Sequence, residues 1–97
     1  MTVGACRITL RLPENASLKG KRQVVKSITA RVRNRYNVSI AEIDDQDKWQ
    51  IASLGISCVS NSSQHAGDTL AKVAGFIRGS RLDAEVLDCE VELLEAL

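Results

Sequence analysis

Aromatic residues make up only 3% of this chain of 97: Phe76, Tyr36 and Trp49 are the three. Any core must therefore be aliphatic, and the 44% apolar content is enough for one such core without metal or disulfide staples. No apolar run approaches the ~20 residues of a membrane-spanning helix, and no apolar block follows Arg7, so neither a spanning segment nor a signal peptide is expected. Cys6, Cys58 and Cys89 are odd in number and lack the CxxC spacing of a zinc site, which points to a reducing, cytoplasmic setting. There is one proline, Pro13, and one histidine, His65. Glycine-rich phosphate loops and nucleophile elbows are missing, so the sequence suggests no enzyme and no cofactor.

The most informative absence is of acids in one stretch. Residues 1–36 hold nine of the thirteen Lys and Arg against Glu14 alone, and residues 18–36 hold no acid at all. The first 36 positions carry a net +8 and the remainder −7.

Changes of hydrophobic period divide the chain into six elements. Cys6, Ile8, Leu10 and Leu12 alternate with Arg7, Thr9 and Arg11, the pattern of a strand with one buried face. Ser17 is placed to cap a helix whose stripe is Val25, Ile28, Val32 and Tyr36, flanked by Leu18 and Val24. A short strand around Val38–Ile40 and a polar turn at residues 44–47 lead into a long strand over 49–60. A second helix, with Leu70, Val73, Ala74 and Ile77 buried, is expected to stop at Gly79 and Ser80. The last strand is expected to turn Leu87, Cys89, Val91 and Leu93 inward and Asp88, Glu90 and Glu92 outward.

The order is βαββαβ. Strands with one apolar face each, joined by right-handed crossovers, imply an α+β, ferredoxin-like domain over residues 1–97, a four-stranded antiparallel sheet with both helices on one face. The first and last strands would then be neighbours, and Arg7 and Arg11 would face Asp88, Glu90 and Glu92.

On the first helix, Lys19, Arg22, Lys26 and Arg33 line one flank of the apolar stripe, and Arg31 and Arg35 the other. A solvated helix ordinarily mixes charge signs to gain i,i+4 pairs. Here Lys19, Lys21 and Arg22 even crowd the N-terminal turns, where the helix dipole disfavours cations by roughly 0.3–1 kcal/mol each. Such a face fits a phosphate-bearing partner, with Lys19, Lys21, Arg22, Lys26 and Arg33 as the expected nucleic-acid contacts.

A second candidate surface is the turn at Asp44, Gln46 and Asp47 with Trp49 and Ile51, read as a hairpin that makes a partner or dimer contact. Its spacing lacks the glycine and distal glutamate of a calcium loop. Trp49 and Ile51 are expected on the open sheet face, beside Ser53, Gly55 and Ser57, which makes that face a candidate homodimer interface. The three cysteines are expected to be buried and structural.

The strings Ser17-Leu18-Lys19-Gly20-Lys21-Arg22, Asn37-Val38-Ser39-Ile40-Ala41-Glu42 and Asp44-Asp45-Gln46-Asp47-Lys48-Trp49-Gln50 resemble the YlxP-like family of small bacterial proteins of unknown function. Val59-Ser60-Asn61 and Asp83-Ala84-Glu85-Val86-Leu87-Asp88 extend the likeness. The resemblance implies a ferredoxin-like fold, a bacterial cytoplasmic protein, and genes near those of translation initiation and ribosome maturation. It also exposes a departure, Gly20, where the family usually has an acid; an acid there would complete a capping box with Ser17, so a looser helix start is expected.

The sequence thus suggests a non-enzymatic module associated with RNA or the ribosome through residues 18–36. With Trp49 as the single aromatic on its expected strands, the sheet is poorly suited to base stacking. The alternative is a small-molecule-binding regulatory module of ACT-like type that acts as a dimer. Acylphosphatase-like chemistry would need a glycine-rich anion loop, which Leu12-Pro13-Glu14-Asn15-Ala16-Ser17 is not.

Overall fold

The computed structural model describes residues 1–80 and 83–97. Its elements are β1 (Thr2–Arg11), α1 (Leu18–Arg35), β2 (Ser39–Asp44), β3 (Ile51–Ser60), α2 (Ser63–Ser80) and β4 (Glu85–Glu95). The four strands form one sheet in the order β2-β3-β1-β4, antiparallel throughout, with both helices on one side. This is the ferredoxin-like α+β arrangement.

The core lies where the alternation of β1 and β3 places it. Cys6, Ile8 and Leu10 pair with Ile56, Leu54 and Ala52, and all six point toward the helices and are buried. Ile28 and Val32 of α1 and Ala66, Leu70, Val73, Ala74 and Ile77 of α2 close the other side. At ~25 cal/mol per Å² of apolar surface, each Val, Leu and Ile among them contributes roughly 1.5–3 kcal/mol of burial.

The expected start of α1 is present. Ser17 has extended backbone (φ −157°, ψ 157°) and its Oγ accepts from the Gly20 N–H at 3.0 Å. The buried face of α1 is Lys21, Val24, Ile28, Thr29 and Val32, so Val24 replaces Val25 at its centre and Val25 lies half-buried at the margin. In α2 the Ser62 Oγ accepts from the His65 N–H at 3.3 Å, and the helix runs through Gly79 to Ser80.

β3 begins at Ile51, so Trp49 lies in the turn before it and not on the strand. In β4 the pairing with β1 shifts between Thr9 and Leu10, so Val86 stands opposite Leu10 and packs on the core. Leu87 is consequently not a core residue; it is 51% exposed. The same bulge gives Arg11 Glu85 as its ion-pair partner, at 3.6 Å, while Arg7 reaches Glu90 at 3.2 Å as the strand order implies. Val91 and Leu93 do face the helix side, but β4 is an edge strand and both stay about half exposed.

Candidate nucleic-acid interface

The outer flank of α1 is the first candidate surface. Lys19, Arg22 and Lys26 are exposed and make no ion pair among the described residues. Arg33 continues the row and donates from Nη2 to the Ile40 carbonyl at 2.7 Å, which holds the C-terminal end of the flank against edge strand β2. From Lys19 to Arg33 the helix rises roughly 21 Å. On the other flank, Arg31 donates to the Ser80 carbonyl at 3.2 Å, and the Arg35 guanidinium lies over the rings of Tyr36 and Phe76.

Lys21 does not belong to this surface. It is 1% exposed, and its ammonium sits 2.8 Å from Glu42 Oε2 and donates to the Asp45 carbonyl. The reason is geometric: Lys21 is seven residues before Ile28, on the apolar side of the helix, directly over the inward-facing Glu42 of β2. A buried ammonium needs a compensating carboxylate, and Glu42 supplies it. The sequence held this signal as a lysine at stripe spacing and a glutamate two residues after Ile40, on the inward parity.

The turn between β2 and β3 is the second candidate surface, and its organising residue is Asp45, which was not among the expected site residues. Asp45 adopts a left-handed conformation (φ 63°), which aspartate tolerates better than most residues. Its carboxylate accepts from Lys48 Nζ at 2.9 Å and from Ser53 Oγ at 2.8 Å, and its carbonyl accepts from the Lys48 N–H at 3.0 Å. The hydrogen bond from Lys48, followed by that from Ser53, lowers the Asp45 pKa; the same Asp45 contact raises that of Lys48. Asp44 is 4.0 Å from Arg7, while Gln46 and Asp47 project into solvent. Among the described residues no group of three or more His, Cys, Asp or Glu side chains has the geometry to hold a metal.

Trp49 is 55% exposed at the far end of this turn. Its carbonyl accepts from Asn15 Nδ2 at 2.5 Å, and the same amide donates to the Ser17 carbonyl at 2.7 Å. Gln50 Nε2 reaches the carbonyls of Pro13 and Asn15 at 3.1 and 3.2 Å. The hairpin is therefore fastened to the loop before α1. Gly20 takes part: a Cβ there would lie 2.3 Å from Asn15 Oδ1. Beyond omitting an acid, Gly20 leaves the space that Asn15 occupies.

The third surface is the open face of the sheet. It carries a trough of about 590 Å³ whose lining includes Ala5, Ser39, Ala41, Gly55 and Ser57, with Arg7, Glu90 and Glu92 on one side and Ile43 on the other. A bulge between Glu42 and Asp44 settles the facing of Ile43, whose side chain lies over Gly55 where a Cβ would be 2.7 Å away. Ile51 is half-buried on this face, outside the trough, and Trp49 does not line the trough either.

The Cys6 thiol is a poor nucleophile. Burial, followed by the neighbouring Cys89 thiol 3.7 Å away, pushes Cys6 up to about 12. Cys58 is buried and Cys89 half-buried.

Fold and surface together define a small ferredoxin-like domain that carries a cationic helix on one layer and an acidic sheet on the other. The chain belongs to the family described as protein of unknown function (DUF503), whose model matches residues 3–91. It is similar to the uncharacterized protein YlxP of Bacillus subtilis (strain 168), with 51% identity over 61 residues. That stretch covers 63% of this chain and 66% of the relative, just short of two thirds of the relative's length.

Proposed function

We propose that the protein is a non-enzymatic, cytoplasmic module that binds RNA or the ribosome through the outer flank of α1. The observation that carries this reading is the contrast between two sets of cations. Arg7 and Arg11 on the sheet are each neutralised by an acid of β4, whereas Lys19, Arg22 and Lys26 are exposed without an ion pair among the described residues. An acid-free row on a rigid helix sums into a field that attracts a polyanion. Contacts to phosphates carry no sequence information, so binding is largely electrostatic and weakly selective.

Cosedimentation with ribosomal subunits across a salt series tests the reading. Three or four phosphate contacts give a slope of log K against log salt of about −2 to −3 for single strands. Reversing Lys19, Arg22, Lys26 and Arg33 to Glu abolishes binding. A flat salt response, or full binding by the reversed variant, overturns the proposal.

The trough on the open sheet face supports two companion readings. Its small-residue floor beside the exposed Ile43 suits a second copy of the chain, so the protein is proposed to be a homodimer through this face. Its volume also suits the alternative of an ACT-like regulatory module, with a small molecule held between two sheets. A thermal-shift screen with amino acids separates the functions: stabilisation by one amino acid, without retention on ribosomal subunits, favours the regulatory module.

A further inference from the structure

A second cationic feature lies on the opposite side of α1 from the proposed RNA-binding flank. The C-terminal end of α1, the end of β3 and the first half of α2 enclose a pocket of about 310 Å³. Arg35, His65 and Lys72 supply its cationic and protonatable groups, and Asn37, Ser60 and Thr69 are among its polar ones. No acid lines it. Asp68, the single acid of α2, stands four residues before Lys72 but lies outside the lining and makes no ion pair with it.

We propose that this pocket is a phosphate-monoester site. Three features argue for it. The Arg35 guanidinium is fixed before any ligand arrives, since its Cζ lies 5.3 Å from the Phe76 ring centroid and 5.9 Å from that of Tyr36. Those rings are themselves locked edge to face, with centroids 5.7 Å apart. A stacked guanidinium keeps its in-plane donors free, and among the described residues none is taken by a carboxylate.

Next, His65, Thr69 and Lys72 follow at i, i+4 and i+7 and so share one face of α2. Finally, the hydroxyls offer both kinds of hydrogen bond. Ser60 Oγ accepts from the Ser62 N–H at 3.1 Å and keeps its own proton to donate, whereas Thr69 Oγ1 donates to the His65 carbonyl at 2.9 Å. A fork-shaped guanidinium, an ammonium, an imidazole and a hydroxyl donor match the −1.5 to −2 charge and the several acceptor oxygens of a phosphate monoester. They suit a singly charged carboxylate less well. The monoester could come from a free phosphorylated metabolite or from the 5′ end of an RNA, and the chemistry presented to the pocket is the same.

The test is a titration of the ¹⁵N-labelled protein followed by amide chemical shifts. Inorganic phosphate, a nucleoside 5′-monophosphate and acetate are added separately. Saturable shifts confined to Tyr36, Asn37, Ser60–His65 and Thr69 are expected with both phosphates and not with acetate. Lys72→Gln weakens phosphate binding about tenfold, and Thr69→Glu, which adds a carboxylate and leaves the Arg35 stack untouched, abolishes it. Shifts spread along Lys19–Arg33, equal responses to acetate, or no shifts at millimolar phosphate overturn the site. A short RNA with and without a 5′-phosphate distinguishes the sources: a preference for the phosphorylated end assigns RNA, and equal binding of both, with saturation by the mononucleotide, assigns a metabolite. The charge-reversed α1 flank variant retains phosphate binding, so failure of the RNA proposal and failure of this one are read from different proteins.

Discussion

Lys21 shows how one residue can serve the fold while looking like part of a binding surface. Its ammonium is buried against Glu42 and the Asp45 carbonyl, which ties α1 to β2 and to the following turn. Lys21→Ala leaves the Glu42 carboxylate without its counter-charge at a mostly buried position and is expected to cost about 3–5 kcal/mol in urea unfolding. Lys21→Met combined with Glu42→Leu removes both charges and is expected to recover most of that loss. Gly20 makes a subtler case. Gly20→Ala favours the helix by up to ~1 kcal/mol in propensity, but it displaces Asn15 from two hydrogen bonds of about 0.5–1.5 kcal/mol each. The single variant is therefore expected to be less stable than the parent. In an Asn15→Ala background, Gly20→Ala is expected to be stabilising. A double-mutant cycle reads this change of sign, and additivity of the two substitutions would show that Asn15 does not depend on the glycine.

Among the elements, the β2–β3 hairpin owes its shape to titratable groups. A carboxyl whose pKa is lower in the folded state stabilises the fold above its unfolded value, and that contribution fades as pH falls through the folded value. Asp45 is such a group, since Lys48 and Ser53 hold its ionised form. Lys48 is the converse: its raised pKa contributes below its unfolded value and is lost as pH climbs through the folded one. The turn is thus expected to hold from above the carboxylate range to below the lysine range and to loosen on both sides. Amide exchange at residues 45–53 measures it. Asp45→Asn is expected to flatten the acidic limb, whereas an unchanged limb would place the effect on other carboxylates.

Across the whole molecule, charge is sorted by layer. The two helices hold nine basic residues and one acid, Asp68, while the four strands hold seven acids against Arg7 and Arg11. In the proposed dimer the two sheets meet through their open faces, which turns both cationic helices outward. Ser57→Glu, placed on the trough floor, is expected to convert the dimer to monomer in sedimentation equilibrium without unfolding it. Losing the second basic flank is then expected to weaken RNA binding by ~10²-fold or more, through loss of effective concentration. A Ser57→Glu protein that remains dimeric would move the interface elsewhere, and the exposed apolar residues of β4 would be the next surface to test.

The sequence alone determined the element order, the Ser17 N-cap of α1 and the inward faces of β1 and β3, because period and capping act between neighbours in the chain. It also marked α1 as the acid-free element. The tertiary structure decided what those cations can reach. The bulge in β4 exchanged Val86 for Leu87 and assigned Glu85 to Arg11, and the bulge in β2 laid Ile43 over Gly55. An inserted residue shifts every later pairing, yet it leaves no mark on local periodicity. Packing of α1 over β2 buried Lys21, and packing of α1 beside α2 brought Arg35 to His65 and Lys72. Proximity between residues far apart in the chain is a property of the assembled layers, and it separates the lysine that holds the fold together, Lys21, from Lys19 and Lys26, which stay exposed on the outer flank of α1.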